Sequence, residues 1–191
     1  MQRISVFAGS NPGARPDYLA AARALGTEIA RRGCGMVYGG ASVGLMGACA
    51  DAALAGGAEV VGVLPSALAG REIAHQGLTE LRVVRSLHER KAVMSALSDA
   101  VVALPGGCGT LDELFEAITW GQLGLHEKPI GVLDAGGYWT PLLALLEHMN
   151  AEGFVRPALR IVRAPDARPL LDQLLHAPPA SVPSPGPAPA P

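Results

Sequence analysis

The chain has 191 residues and a formal net charge of −2, with 49% hydrophobic and 17% charged residues. That length suits one domain with a sizeable core, and that composition excludes a disordered chain. A charge balance this close to neutral gives no electrostatic footing for nucleic acid, although local basic residues can still serve a small anionic ligand. No window approaches the ~20 uninterrupted apolar residues of a membrane span. The N-terminus runs directly into a strand pattern without the charged and apolar regions of a signal peptide. Three cysteines, Cys34, Cys49 and Cys108, show neither metal-ligand spacing nor an even-numbered disulfide framework. A reducing, cytoplasmic location is the expectation.

Residues 4–8 predict a first strand and 18–32 a helix. The strand ends on Gly9-Ser10. In doubly wound sheets ligands bind beyond the carboxyl ends of the strands, so Gly9 and Ser10 are candidate phosphate or base contacts, and a plain turn is the equal alternative. Residues 35–38 predict a short strand and 44–55 a helix. Between them lies Tyr38-Gly39-Gly40-Ala41-Ser42-Val43-Gly44, where Gly40 is a further candidate contact. Gly44 and Gly47 at a helix start cost stability, which close packing or a ligand would offset. The dinucleotide fingerprint fits neither this turn nor the later one.

Residues 59–64 predict a strand. Residues 66–80 form the longest irregular stretch, of the length that is often functional; Arg71-Glu72 within it is either a surface pair or a ligand contact. A short strand follows at 81–84 and a helix at 87–97. That helix opens with His88-Glu89-Arg90-Lys91, which taken alone reads as a solvated charged turn. Arg90, however, suits bidentate binding of phosphate or carboxylate.

Residues 100–104 predict a strand and 110–123 a helix, joined by Pro105-Gly106-Gly107-Cys108-Gly109. Three glycines ahead of a helix leave backbone N–H groups uncovered, and the helix N-terminus adds a positive partial charge: together an anion cradle, best suited to phosphate. Gly106 belongs to that cradle. Thr110 either caps the helix or donates a hydroxyl to the phosphate. Glu113 is then one turn inside the helix. The macrodipole alone favours a Glu there, but a carboxylate so near a bound phosphate suggests chemistry on the group the phosphate anchors.

Residues 129–133 predict a strand, 141–152 a helix, 161–162 a last short strand and 169–175 a last helix. His75, His126 and His148 show no metal spacing and read as surface or packing residues. Strands apolar on both faces and alternating with helices predict an α/β, Rossmann-like doubly wound parallel sheet with helices on both faces, in a single domain over 1–176. The Ala/Pro-rich residues 177–191 predict a disordered tail.

Taken together, these segments resemble the LONELY GUY family of cytokinin-activating phosphoribohydrolases, long labelled "possible lysine decarboxylases". Residues 105–113 meet every fixed position of the signature Pro-Gly-Gly-X-Gly-Thr-X-X-Glu. His88-Glu89-Arg90-Lys91 meets the Met/His-X-Arg-Lys segment. Residues 39–47 meet Gly-Gly-Gly-X-X-Gly-Leu-Met-Gly, except that Ala41 replaces the third glycine. Residues 118–124 and 128–131 are similar to the helix and strand that follow in the family, so the resemblance covers about residues 4–155.

The resemblance implies hydrolysis of the N-glycosidic bond of a nucleoside 5′-monophosphate, plain or N6-modified AMP, to free base (adenine or cytokinin) and ribose 5-phosphate. It implies Arg90 and Glu113 as catalytic residues. Substrate contacts carry over to Glu72, Lys91, Gly107, Cys108, Gly109, Thr110, Leu111, Asp112 and Thr119. It also implies a homodimer with the active site near the interface, and requires neither metal nor bound cofactor. Physical chemistry agrees, because glycosidic cleavage builds positive charge on the sugar, which a carboxylate can stabilise while accepting a proton from the attacking water. Arg90 would either orient an ionised Glu113 or bind substrate oxygens. A pyridoxal-dependent decarboxylase would need its cofactor on Lys91 or Lys128, neither of which sits in an evident pocket. The competing class is a nucleotide or nucleotide-cofactor carrier of the same fold, which needs the glycine loop but not a carboxylate beside the sugar.

Overall fold

The computed structural model describes residues 2–69, 74–155 and 160–176. Its elements are β1 (Arg3–Phe7), α1 (Pro16–Arg31), β2 (Gly35–Tyr38), α2 (Gly44–Ala55), β3 (Val60–Pro65), the single turn α3 (Ser66–Ala69), β4 (Glu80–Val84), α4 (Leu87–Leu97), β5 (Ala100–Ala103), α5 (Cys108–Gln122), β6 (Ile130–Leu133), α6 (Thr140–Ala151), β7 (Ile161–Ala164) and α7 (Ala167–His176). A 3₁₀ turn, Ala135–Gly137, precedes α6. The strands form one sheet in the order β4-β3-β2-β1-β5-β6-β7, and every pairing is parallel. This is the Rossmann-like α/β fold that the alternating pattern predicts. The expected tail at 177–191 lies outside the described residues.

Strand periodicity divides the core in two. Ile4, Val6, Met36, Tyr38, Ala100 and Val102 point to one face, where they meet Leu25 and Ile29 of α1, Cys49 and Ala53 of α2, and Leu170, Leu171 and Leu174 of α7. Phe7, Val37, Val61, Val63, Val101 and Ala103 point to the other, against Met94 of α4, Leu114 and Ile118 of α5, and Trp139. Burying each such side chain is worth about 1.5–3 kcal/mol, so both faces must be covered, and short apolar strands of this kind are stable only between helices.

Some boundaries differ from the sequence reading. Helix α1 starts two residues early because Pro16 occupies its first turn, where a fixed φ suits the helix and the missing N–H costs nothing. The stretch 66–80 contains α3 and a bridge between Ala41 and Ala74.

The order of the strands places the site. From β1 the chain steps outward through β2, β3 and β4, then returns across the sheet to β5 on the other side of β1. The ends of β1 and β5 therefore diverge at a topological switch point, where this class of fold binds its ligands.

Candidate active site

Three loops meet at that switch point. The Gly9 N–H donates to Pro105 O at 3.0 Å, and Gly9 O accepts from Leu45 N at 3.0 Å. Gly9 thus ties the end of β1 to the glycine loop and to the start of α2, while Ser10 is exposed beside it. Gly44 opens α2 at φ +61°, and a Cβ there would lie 2.3 Å from the backbone carbon of Ser10. Only glycine permits both that backbone and that approach, which offsets its cost at a helix start. Gly40 is buried at the end of β2.

Helix α5 begins two residues earlier than expected, at Cys108, with Gly107 in the capping position and no side chain capping it. Of the two roles open to Thr110, cap or hydroxyl donor to a phosphate, the first is corrected: Gly107 holds the capping position, and Thr110 is the third residue of the first turn and is buried. A Cβ on Gly106 would lie 2.1 Å from Thr110 Oγ1, so Gly106 is glycine because Thr110 sits directly beneath it. Gly107 and Gly109 differ. Both are exposed, and among the described residues nothing lies within 4 Å of a Cβ built on either. Internal packing does not require glycine there; the absence of side chains leaves the first-turn N–H groups, which have no helical partner, uncovered. The cradle is thus an uncapped helix N-terminus, suited to an anion. Tyr138, following the 3₁₀ turn, donates its hydroxyl to Gly106 O and braces the loop from outside. Its separation of 32 residues from Gly106 left no local signal.

The catalytic candidates meet behind this cradle. Ser86 caps α4 by accepting from Glu89 N at 3.1 Å, and the Glu89 carboxylate accepts from Arg85 N at 2.7 Å. This turns the charged opening of α4 into a fixed cap and aims the next two residues at α5. Arg90 Nη2 donates to Glu113 Oε1 at 2.8 Å, with the two side chains only 14% and 11% exposed. Arg90 reaches Glu113 by crossing Gly39, where a Cβ would lie 2.3 Å from Arg90 Nη2. The sequence reading singled out Gly40 and missed Gly39, whose role depends on a contact 51 residues away. Burial raises the Glu113 carboxyl to about 6, against the pull of the Arg90 guanidinium. A carboxyl placed so is ionised at neutral pH yet basic enough to take a proton, as a general base requires. Lys91 lies between Asp112 Oδ2 at 3.0 Å and Glu116 Oε2 at 2.8 Å.

Helix α5 separates the remaining candidates by its period. Thr110, Glu113, Leu114, Ala117 and Ile118 are the buried stripe. Cys108, Leu111, Asp112, Phe115, Thr119 and Trp120 line an open surface trough of about 520 Å³ on the other side. Thr119 is therefore not brought to Arg90 and Glu113 within one chain. Glu72 lies outside the described residues. His75 contacts Asp51 Oδ1 at 2.9 Å and His126 contacts Ala117 O at 3.0 Å, so both are held by the fold. Among the described residues no cluster of His, Cys, Asp and Glu is arranged to hold a metal.

Residues 46–174 match the family described as "possible lysine decarboxylase". The chain is 51% identical over 174 residues to a probable cytokinin riboside 5′-monophosphate phosphoribohydrolase of Oryza sativa subsp. japonica, covering 90% of this chain and 78% of that protein. It is 47% identical over 175 residues to a cytokinin riboside 5′-monophosphate phosphoribohydrolase of Arabidopsis thaliana, covering 91% and 82%. The chain belongs to the LONELY GUY family. Among solved structures, the molybdenum cofactor binding protein of Rippkaea orientalis superposes with TM-score 0.69 at 24% identity over 91% of this chain and 95% of that one. The molybdenum cofactor carrier protein of Chlamydomonas reinhardtii gives 0.68 at 24% identity over 91% and 98%. At that identity these two share the fold. In this member of the LONELY GUY family, the signature loop is the uncapped start of α5, and its last residue, Glu113, is the one paired with Arg90.

Proposed function

We propose that this chain is an N-glycosidic hydrolase that converts an adenosine 5′-monophosphate, plain or N6-modified, to the free base and ribose 5-phosphate. The observation that carries the reading is the buried Arg90–Glu113 pair lying directly behind an uncapped helix N-terminus. The first-turn N–H groups of α5 hold the 5′-phosphate, so that binding energy from a non-reacting group positions the sugar. As the base departs, positive charge develops on the ribose. The Glu113 carboxylate stabilises that charge and accepts a proton from the water that attacks the sugar carbon. Arg90 orients Glu113 through Nη2. A lysine-based decarboxylase has less support: Lys91 is held by two carboxylates, and Lys128 is bonded to Ser95 O.

The proposal extends to a homodimer in the cytoplasm. The trough on α5 carries Thr119 at its surface together with Leu111, Phe115 and Trp120, an apolar lining suited to a second copy. Three cysteines without a disulfide, Cys34, Cys49 and Cys108, suit a reducing compartment. The test is incubation of purified protein with AMP and with isopentenyladenosine monophosphate, scoring free base by chromatography. Base should be released from at least one, and Glu113→Ala or Arg90→Ala should lower the rate ~100-fold or more. Tight nucleotide binding without release would instead favour a carrier.

A further inference from the structure

A second, smaller cavity is lined in part by Glu113 and by none of the glycine-loop residues 105–109. Its volume is about 20 Å³, and its walls include Ser5 of β1, Lys91 of α4 and Ser98 at its end, Glu113 and Glu116 of α5, and His126. A cavity needs roughly 10–15 Å³ to admit a water, and a water there needs two to four polar partners. This one therefore has room for one water and for no part of a nucleotide.

The walls offer the partners. Ser5 is 1% exposed, and its Oγ has no hydrogen-bond partner among the described residues. Buried hydroxyls are rarely left so, because an unmade bond costs about 1–3 kcal/mol. Ser98 Oγ spends its proton on Met94 O at 2.9 Å and so remains able to accept. His126 is committed at both ring nitrogens, to Ala117 O and to the Lys128 N–H. Glu113 has Oε1 on Arg90, and its carboxylate can accept further bonds.

We infer that this cavity holds one ordered water, bound by the Ser5 hydroxyl, that donates to the Glu113 carboxylate. Ser5 is then a positioning residue for the hydrolysis. It donates to the water oxygen, and the water's protons go to Glu113 and to Ser98 Oγ. The water takes no part in the reaction as a reactant. It fixes the carboxylate plane that Arg90 holds at one oxygen only, and it favours the ionised form. The charged groups facing Glu113 are Arg90 and Lys91 from α4 and Asp112 and Glu116 from α5; Lys91, Glu116 and His126 also stand on the cavity wall, with the Lys91 ammonium held by Asp112 and Glu116.

The inference rests on the hydrolase reading for its consequence but not for its test. In the full chain without substrate, the Glu113 carboxyl is titrated by ¹³C NMR in wild type and in Ser5→Ala. Loss of a hydrogen bond to the charged form should raise the midpoint by about one pH unit, and the acid limb of kcat/KM should move up with it while KM above pH 8 stays put. The melting temperature should not rise, since the hydroxyl removed was satisfied. An unmoved Glu113 midpoint, or a Tm that rises by several degrees because an orphaned hydroxyl has gone, overturns the inference. A wild-type protein that releases no base overturns the hydrolase reading, and the titration still decides the role of Ser5.

Discussion

Glu113 concentrates the physical conflict of this site. Burial raises its carboxyl from 4.5 to about 6 even with the Arg90 guanidinium beside it. At neutral pH the folded chain thus carries a penalty of about 2 kcal/mol for keeping this carboxyl ionised. A buried carboxylate kept at such a cost marks function more than stability. The sign of its pH dependence follows. The base form is the ionised one, so kcat/KM should be flat above about pH 7 and fall tenfold per unit below about 6, in a pH–rate profile of the wild-type enzyme. A plateau extending unchanged to pH 5 would contradict the assignment. Gly39 offers a second check. Ala there brings a methyl to within 2.3 Å of Arg90 Nη2, and the guanidinium must move off Glu113. Gly39→Ala should lower kcat about tenfold or more with little change in Tm, read by steady-state kinetics and thermal melting. Arg90, Glu113 and the glycine loop could be picked out in the sequence because they form short motifs with a mechanism attached. Gly39, Ser5 and Tyr138 could not, because each acts through a contact with a residue far along the chain.

At the scale of elements, helix starts and strand ends decide what the residues can do. Helix α4 is capped by Ser86 and Glu89, and α5 is left uncapped. One is fixed so that Arg90 points correctly, and the other is open so that an anion can complete it. The sequence showed the charged opening of α4 but not the division of labour within it, since Glu89 as cap and Arg90 as ligand look alike in a run of four polar residues. The capping alternative for Thr110 fails for a similar reason: glycine and cysteine are weak start signals, and α5 begins at Cys108, two residues before the pattern in the sequence does. Helix α1 shows the opposite case, of a charge used for structure. Glu28 accepts from Arg31 and Arg32 at 2.7 Å, and Arg32 goes on to Asp172 of α7 at 2.6 Å. Hydrogen bonding from Arg31, and then from Arg32, holds the Glu28 carboxyl down at about 2 despite its burial. A depressed carboxyl contributes stability that is fully present above the unfolded value of 4.5 and is lost as pH falls toward about 2. Glu28→Gln should therefore lower Tm at pH 7, and the gap from wild type should close as melts are repeated down to pH 3. A gap that stays constant with pH would mean that the carboxylate charge is not what ties α1 to α7.

The whole molecule is a parallel sheet whose strand order makes one switch point, and the three loops of the site converge there. That order follows from no single motif. The alternation of strands and helices announced the fold, but which strands become neighbours is set by packing across the sheet, so the union of Gly9, Gly39 and the 105–109 loop emerges only in three dimensions. The separation of Thr119 from Glu113 is likewise invisible in a linear motif and plain on the helix, where the two lie on opposite stripes. If Thr119 serves a site, it serves that of a second copy. Thr119→Arg should then reduce the mass seen by light scattering from dimer to monomer and lower activity while the monomer stays folded by circular dichroism. A dimer unaffected by this change would place the interface elsewhere.

The central claim is that Glu113, held by Arg90 behind the open start of α5, breaks an N-glycosidic bond. Its most direct test is release of free base from AMP and from isopentenyladenosine monophosphate by wild type and by Glu113→Gln, which keeps the shape of the side chain and removes its charge. Base release by wild type, with a loss of ~100-fold or more in the variant at undiminished nucleotide binding, is the predicted result. Equal release by both proteins would contradict it.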